Sequence, residues 1–294
     1  MRIEDITIPG LGVALAATAY GDPTSPPVVL LHGGGQTRQS WQATAQGLAR
    51  RGWRAIAVDL RGHGASEWAA DGRYGLADFA NDVLNLSAVL HRRPVLVGFS
   101  LGGLAALAAV ARCPEVASGL VLVDVSPFIQ QSGADRVTEF MRANLDGFES
   151  VQEAASAIAT YRRQRERQAT PNLRDSLREV DGRFFWHWDP ALIESDSGDA
   201  GGLALLNALS GEGGLQSMTS SLRLPTLLIR GARSDVLSPD DSRRFLERVP
   251  HADFSITAES GHLMVGDDNQ GFDAALADFL DRRIRPRLEL FGTT

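Results

Sequence analysis

Apolar residues gather along this chain in short unbroken runs. Val28-Val29-Leu30-Leu31, Ala55-Ile56-Ala57-Val58, Val95-Leu96-Val97 and Leu120-Val121-Leu122-Val123 contain no polar position, so each predicts a strand buried on both faces, as in a parallel sheet. Between these runs the apolar spacing changes to that of a helix: Trp41, Leu48 and Ala49 from about residue 40, then Phe79, Val83, Leu84, Leu86 and Leu90 over residues 76–90. Ahead of them, segments 3–8 and 11–19 are broken at Pro9-Gly10 and closed by Gly21-Asp22-Pro23. They predict an antiparallel hairpin at a sheet edge. Strand and helix thus alternate through helical crossovers, which predicts an α/β class with a mostly parallel, doubly wound sheet.

The rhythm breaks after residue 127. Over 128–221 the spacing is helical: Val137, Phe140, Met141 and Leu145; Val151, Ala154, Ala155, Ile158 and Tyr161 behind a Ser150-x-x-Glu153 capping box; Leu173 and Leu177 behind Thr170-Pro171. Strand signals resume at Thr226-Leu227-Leu228-Ile229-Arg230 and at Asp253-Phe254-Ser255-Ile256, with a helix after Ser238-Pro239 between them and a last helix over about 271–283. Residues 1–127 and 222–294 therefore predict one sheet-built core, and 128–221 a helical cap inserted before the last two strands. The cap's most polar run, 162–168, predicts a solvated helix face. Its most aromatic run, 182–190, predicts either packing of the cap on the core or, in part, the lining of an apolar substrate cavity, two roles that are compatible.

The third buried run turns abruptly into a small-residue helix through Gly98-Phe99-Ser100-Leu101-Gly102-Gly103. G-x-S-x-G between a strand and a helix fits the sharp turn that lifts a nucleophilic serine off a sheet edge, with glycines where the backbone is strained and crowded. A helix N-terminus at that point also favours negative charge developing beside the serine. Serine is a poor nucleophile until a base takes its proton and an acid orients the base. His262, in Ser260-Gly261-His262, follows the last strand, and Asp235, in Gly231-Ala232-Arg233-Ser234-Asp235, follows the strand before it. Both fall where open α/β sheets place their sites. Asp124, at the end of the Leu120–Val123 run, is a second position from which an acid could act.

Composition and charge narrow the chemistry. With 294 residues, 44% of them hydrophobic, the chain can build one large core without a second independent domain. The net charge of −7 offers no basic face to nucleic acid or to anionic lipid. No run approaches the roughly 18 apolar residues of a membrane span, and the acidic N-terminal residues are unlike a secretory leader. A cytoplasmic protein acting on a small molecule is expected. The single cysteine, Cys113, excludes an internal disulfide, and its place after an alanine-rich helix predicts a buried, inert thiol. No ligand cluster or dinucleotide fingerprint implies a metal or an organic cofactor. The oligomeric state is not encoded in any readable pattern.

Five motifs in order, H-G-G-G at 32–35, D-L-R-G-H-G-A-S at 59–66, G-F-S-L-G-G at 98–103, G-x-x-S-D at 231–235 and S-G-H at 260–262, make the chain resemble a cap-bearing α/β-hydrolase over nearly its whole length. The resemblance implies that Ser100 attacks, His262 transfers protons and Asp235 orients His262. It implies an oxyanion hole from the backbone N–H of Leu101 and of Gly34, with Gly35 as the alternative to Gly34. His63 is expected to hold a structural hydrogen bond, Asp59 to form a turn, and His91 and His251 to be solvated. Phe99, Leu101 and Gln36 around the nucleophile predict a mostly apolar substrate pocket. A serine at the elbow, where related dehalogenases and epoxide hydrolases carry aspartate, argues against an alkyl–enzyme ester. It predicts a serine hydrolase of carboxylic esters or related small acyl compounds. A C–C hydrolase or lyase with the same triad, and a ligand-binding receptor on this scaffold, are the alternative readings.

Overall fold

The computed structural model describes residues 1–129, 131–161, 173–194, 214–257 and 270–291. His262 and the polar run 162–168 lie outside the described residues. The chain begins with strands β1 (Ile3–Pro9) and β2 (Ala14–Tyr20), paired antiparallel at one edge as the broken apolar pattern predicts. Strands β3 (Pro27–Leu31), β4 (Arg54–Val58), β5 (Val95–Phe99) and β6 (Gly119–Val123) follow. After an insertion come β9 (Thr226–Gly231) and β10 (Asp253–Thr257). The eight strands form one sheet in the order β1-β2-β4-β3-β5-β6-β9-β10, parallel from β4 onward.

Alternation along each strand divides the buried side chains between two faces. Val29, Leu31, Ile56, Val58, Leu96, Leu120 and Leu122 pack on helices α2 (Leu76–Ala88) and α3 (Leu101–Arg112). Val28, Leu30, Ala55, Ala57, Val95, Val97, Val121 and Val123 pack on α1 (Gln42–Arg50) and on Phe272, Leu276 and Phe279 of the C-terminal helix Gln270–Phe279. Apolar runs without alternation are what a sheet covered on both sides requires. Beyond that helix the chain continues as a helical segment over Leu280–Ile284 and Arg285–Phe291.

Between β6 and β9 the described residues add no strand to the main sheet. Helices α4 (Gln131–Ala143) and α5 (Val151–Tyr161) occupy the first two predicted helical stretches. The third differs. Leu173–Ser176 is a single tight turn that runs into strand β7 (Leu177–Val180), paired antiparallel with β8 (Arg183–Trp186). Asp181 (φ 50°) and Gly182 (φ 77°) both adopt the left-handed region at the turn. That is the two-residue geometry that matches the twist of a hairpin and favours Asp-Gly. Leu173 and Leu177 are thus four apart in sequence but lie on different elements.

Cys113 also departs from expectation. It is exposed, because the buried face of α3 ends at Val110 and the chain leaves the helix at Cys113 in extended conformation.

Candidate active site

The end of β5 carries a strained turn. Ser100 sits at φ 47°, ψ −117°, outside the ordinary regions for an L-residue, immediately before α3. Its N–H donates to the Val123 carbonyl at 3.2 Å, and the Gly102 N–H donates to the His32 carbonyl at 3.1 Å. The surrounding glycines are sterically required. A Cβ on Gly98 would lie 2.4 Å from the Gly103 nitrogen, and one on Gly102 would lie 2.5 Å from the Leu31 carbonyl oxygen. Both obstacles are backbone, so neither can swing aside. The strain at Ser100 is thereby held by strand–helix contact, as functional turns commonly are.

The neighbouring strand end supplies the loop His32-Gly33-Gly34-Gly35. Gln36 ties it into a turn, its N–H donating to the Gly33 carbonyl at 3.2 Å while its Oε1 accepts the Gly33 N–H at 3.1 Å. Gly35, at φ 75°, donates its N–H to His63 Nε2 at 3.2 Å. That bond commits the Gly35 N–H. Above the loop lie apolar groups of the insertion: a Cβ on Gly35 would meet the Trp188 ring at 3.2 Å, and one on Gly34 would be 4.0 Å from Met141 Sδ and from Leu101 Cδ2. Trp188 stacks on Trp186 at 4.9 Å between ring centroids.

Three buried histidines stand beside this loop. His32 accepts the Leu60 N–H on Nε2 at 3.0 Å, so its proton is on Nδ1 and is donated to the Gly33 carbonyl at 2.7 Å. In the same way His63 donates from Nδ1 to the Arg61 carbonyl at 2.9 Å. His187, from the insertion, accepts the Gly64 N–H on Nδ1 at 2.7 Å. Burial, which penalises the charged form, pushes His32 down to about 4 and His63 to about 3, His32 adding to the effect on His63. It carries His187 well below its ordinary value too. All three are neutral. The same seam is tied by the Asp189 N–H to the Gly62 carbonyl at 2.8 Å, and by Tyr74 O–H to Asp189 Oδ2 at 2.5 Å. Burial and that carboxylate raise the Tyr74 pKa.

The two carboxylates weighed as acids have different surroundings. Asp124 is wholly buried, at φ 51°, directly after the strand that pairs with the elbow strand. Its Oδ1 accepts the Gly231 N–H at 2.9 Å and its Oδ2 the Ser234 hydroxyl at 2.7 Å. Ser234 Oγ in turn accepts from the N–H groups of Leu237 at 3.1 Å and Val236 at 3.3 Å, so Asp124 anchors the turn that carries Asp235. Asp235 itself has a side chain 56% exposed and ion-paired with Arg136 of α4. Of the remaining predicted positions, Asp59 is buried and accepts from the N–H groups of Arg38 and Ala65. His91 is exposed, and His251 is half-buried against the Leu224 carbonyl. Arg136, Met141, His187 and Trp188 were not singled out by any motif. Their signal was position alone, within amphipathic or aromatic stretches.

A family model described as the alpha/beta hydrolase fold matches residues 26–268. The chain belongs to this family. An esterase of Mycobacterium tuberculosis is 28% identical over 281 residues, spanning 92% of this chain and 87% of that protein. A pimeloyl-[acyl-carrier protein] methyl ester esterase of Chromobacterium violaceum is 31% identical over 264 residues, 87% of this chain and 94% of that protein. Among solved structures, an E-2-(acetamidomethylene)succinate hydrolase superposes with a TM-score of 0.80 at 20% identity, covering 95% of this chain and all of that one. At that identity it speaks for the fold alone. This α/β-hydrolase is therefore an enzyme of the hydrolase class acting on a small molecule. No helix among the described residues is long and apolar enough to cross a membrane.

Proposed function

We propose that this α/β-hydrolase is a serine hydrolase that cleaves a carboxylic ester, or a related small acyl compound of largely apolar character, through an acyl-serine at Ser100. The observation that carries the reading is the strained φ 47° of Ser100 at the head of α3, enforced by Gly98 and Gly102. Esterases among the relatives support it. Insertion 128–221 acts as the cap over the site, and Met141 and Trp188 supply apolar cover next to the oxyanion loop.

The steps follow from the groups on the sheet edge. His262 takes the Ser100 proton as Oγ attacks the acyl carbon. The oxyanion is bound by the N–H groups of Leu101 and Gly34, since Gly35 donates to His63. Collapse expels the alcohol, protonated by His262, and a water activated by the same histidine then releases the acid. The sequence order names Asp235 as the group that orients His262. A second reading of the acid is favoured by a specific observation: Asp124 is buried and hydrogen-bonded, whereas Asp235 is exposed and engaged by Arg136.

The test treats the protein and its Ser100→Ala variant with a fluorophosphonate probe and with aryl esters of increasing acyl length. Labelling and turnover, both abolished in the variant, are expected. Turnover that survives the substitution refutes the acyl-serine, and labelling without turnover directs attention to C–C cleavage, a lyase step or a receptor.

A further inference from the structure

The oxyanion loop sets a physical problem that its own sequence does not solve. Three consecutive glycines, Gly33 to Gly35, give the backbone most freedom where an oxyanion hole needs its donors fixed before the substrate arrives. Something outside the loop must fix them. Gln36 and His32 hold the Gly33 end through its N–H and carbonyl. At the other end the Gly35 N–H donates to His63 Nε2, and His187 also interacts with the Gly35 backbone.

His63 is built for that task. It is wholly buried, its second nitrogen is committed to the Arg61 carbonyl, and its ring is wedged between His32, edge-on at 5.1 Å, and His187 at 6.0 Å. The tautomer is therefore fixed with the lone pair of Nε2 facing Gly35. The Gly35 N–H belongs to the same rigid peptide plane as the Gly34 carbonyl, so fixing it fixes the rotation of the chain just after Gly34. We propose that His63 is a positioning residue for the oxyanion hole: the Gly34 N–H shares its peptide plane with the Gly33 carbonyl, which His32 and Gln36 hold, and by accepting the Gly35 N–H His63 fixes the plane on the other side of Gly34, so that the donor is held from both ends and Gly35 does not compete with it. This rests on the serine hydrolase reading. It assigns His63 no contact with substrate.

The experiment compares two amides that differ in reach. His63→Asn can still donate to the Arg61 carbonyl but has no acceptor near Gly35. His63→Gln can place its Oε1 near the position of Nε2. Each is assayed on 4-nitrophenyl acetate and on its thionoester, O-(4-nitrophenyl) ethanethioate, whose sulfur gains less from hydrogen-bond donors. A misaligned hole penalises the oxoester selectively; a general loss of folded protein lowers both rates in parallel. In the Asn variant kcat on the oxoester is expected to fall at least about 10-fold, towards the ~10²-fold or more that losing one oxyanion donor costs. KM should stay within about threefold, with the oxo-to-thiono ratio shrinking in step. The Gln variant should keep most of the parent's ratio. An unchanged ratio in the Asn variant overturns the proposal. In the unmodified protein, a through-hydrogen-bond coupling between the Gly35 amide nitrogen and His63 Nε2, measured by NMR, is also expected, and its absence overturns the proposal without any variant having to fold. Turnover by Ser100→Ala would instead remove the reading on which the proposal stands.

Discussion

Asp124→Asn and Asp235→Asn should have unequal consequences, and their sizes can be worked out from the two environments. Asp124 is buried and receives hydrogen bonds from Gly231 and Ser234. An amide in its place keeps an acceptor for the Gly231 N–H but turns an NH2 group towards Ser234, so one buried hydrogen bond is lost or inverted, at about 1–3 kcal/mol. Asp235 and Arg136 have side chains 56% and 37% exposed, and such pairs contribute about 0–1 kcal/mol. The stability cost of Asp235→Asn is therefore under about 1 kcal/mol. Catalysis is the sharper readout. An acid that holds an imidazolium acts best where water does not screen it. Replacing such an acid by its amide costs about 10⁴ in kcat in a well-studied serine protease. We expect Asp124→Asn to lose about 10³-fold or more on an aryl ester, and Asp235→Asn to lose less than about 10-fold. Urea unfolding of both variants separates catalysis from folding. The reverse ranking would refute the argument from burial and restore Asp235 as the acid. Small losses in both would refute a carboxylate at either position.

Two further outcomes follow from the same edge of the sheet. Gly102→Ala places a Cβ 2.5–2.6 Å from the carbonyl oxygens of Leu31 and His32. Because backbone must move, unfolding free energy should fall by about 3 kcal/mol or more, the upper end of overpacking costs; a denaturation midpoint equal to the parent's would contradict this. Acid should destabilise the fold through the neutral histidines. His32 and His63 titrate at about 4 and about 3 in the folded chain, against an ordinary value of 6.5. The unfolded chain thus binds more protons, and the stability these groups contribute is complete above about pH 6.5 and drains away as pH falls towards 4 and 3, by up to about 1.4 kcal/mol per pH unit for each. Urea unfolding at about pH 7.5 and about pH 5 should show the loss; identical free energies would refute the buried neutral network.

The main sheet was legible because its physics is local. Runs such as Leu120 to Val123 have no polar face to offer solvent, and crossover helices with Phe79 and Val83 on one side have only the sheet to cover. The insertion was less legible because its elements are short and half-exposed. Leu173 and Leu177 at a spacing of four suggest a helix, yet a signal for the alternative was present: Asp181-Gly182 between Leu177-Arg178-Glu179-Val180 and Arg183-Phe184-Phe185-Trp186 is a hairpin turn flanked by strand-forming residues. Helical spacing and turn chemistry compete in that stretch, and the turn prevails. Cys113 was misplaced for a related reason, since apolar context along a helix says nothing about the residue at which the helix ends.

At the site, the sequence could place side chains on an edge but not rank them. Ser100 stood out because the glycines its turn demands, Gly98 and Gly102, sit two residues either side of it, which a short motif encodes, although the backbone that Gly102 must clear, at Leu31 and His32, comes from another strand end. Asp124 and Asp235 both follow strands whose carboxyl ends meet that edge, so the sequence sets them side by side, and familiar chain order selects Asp235. What distinguishes them is non-local. Asp124 meets Gly231 and Ser234 across more than a hundred residues, and Asp235 meets Arg136 across ninety-nine. The oxyanion loop shows the same limit. His32-Gly33-Gly34-Gly35 announces freedom, and the group that restrains its far end, His63, lies in another loop twenty-eight residues on. Strain is written locally in this chain, whereas its restraint is supplied from a distance. Substitutions at His63 and Asp124 should therefore disturb catalysis at Ser100 although no motif joins the three.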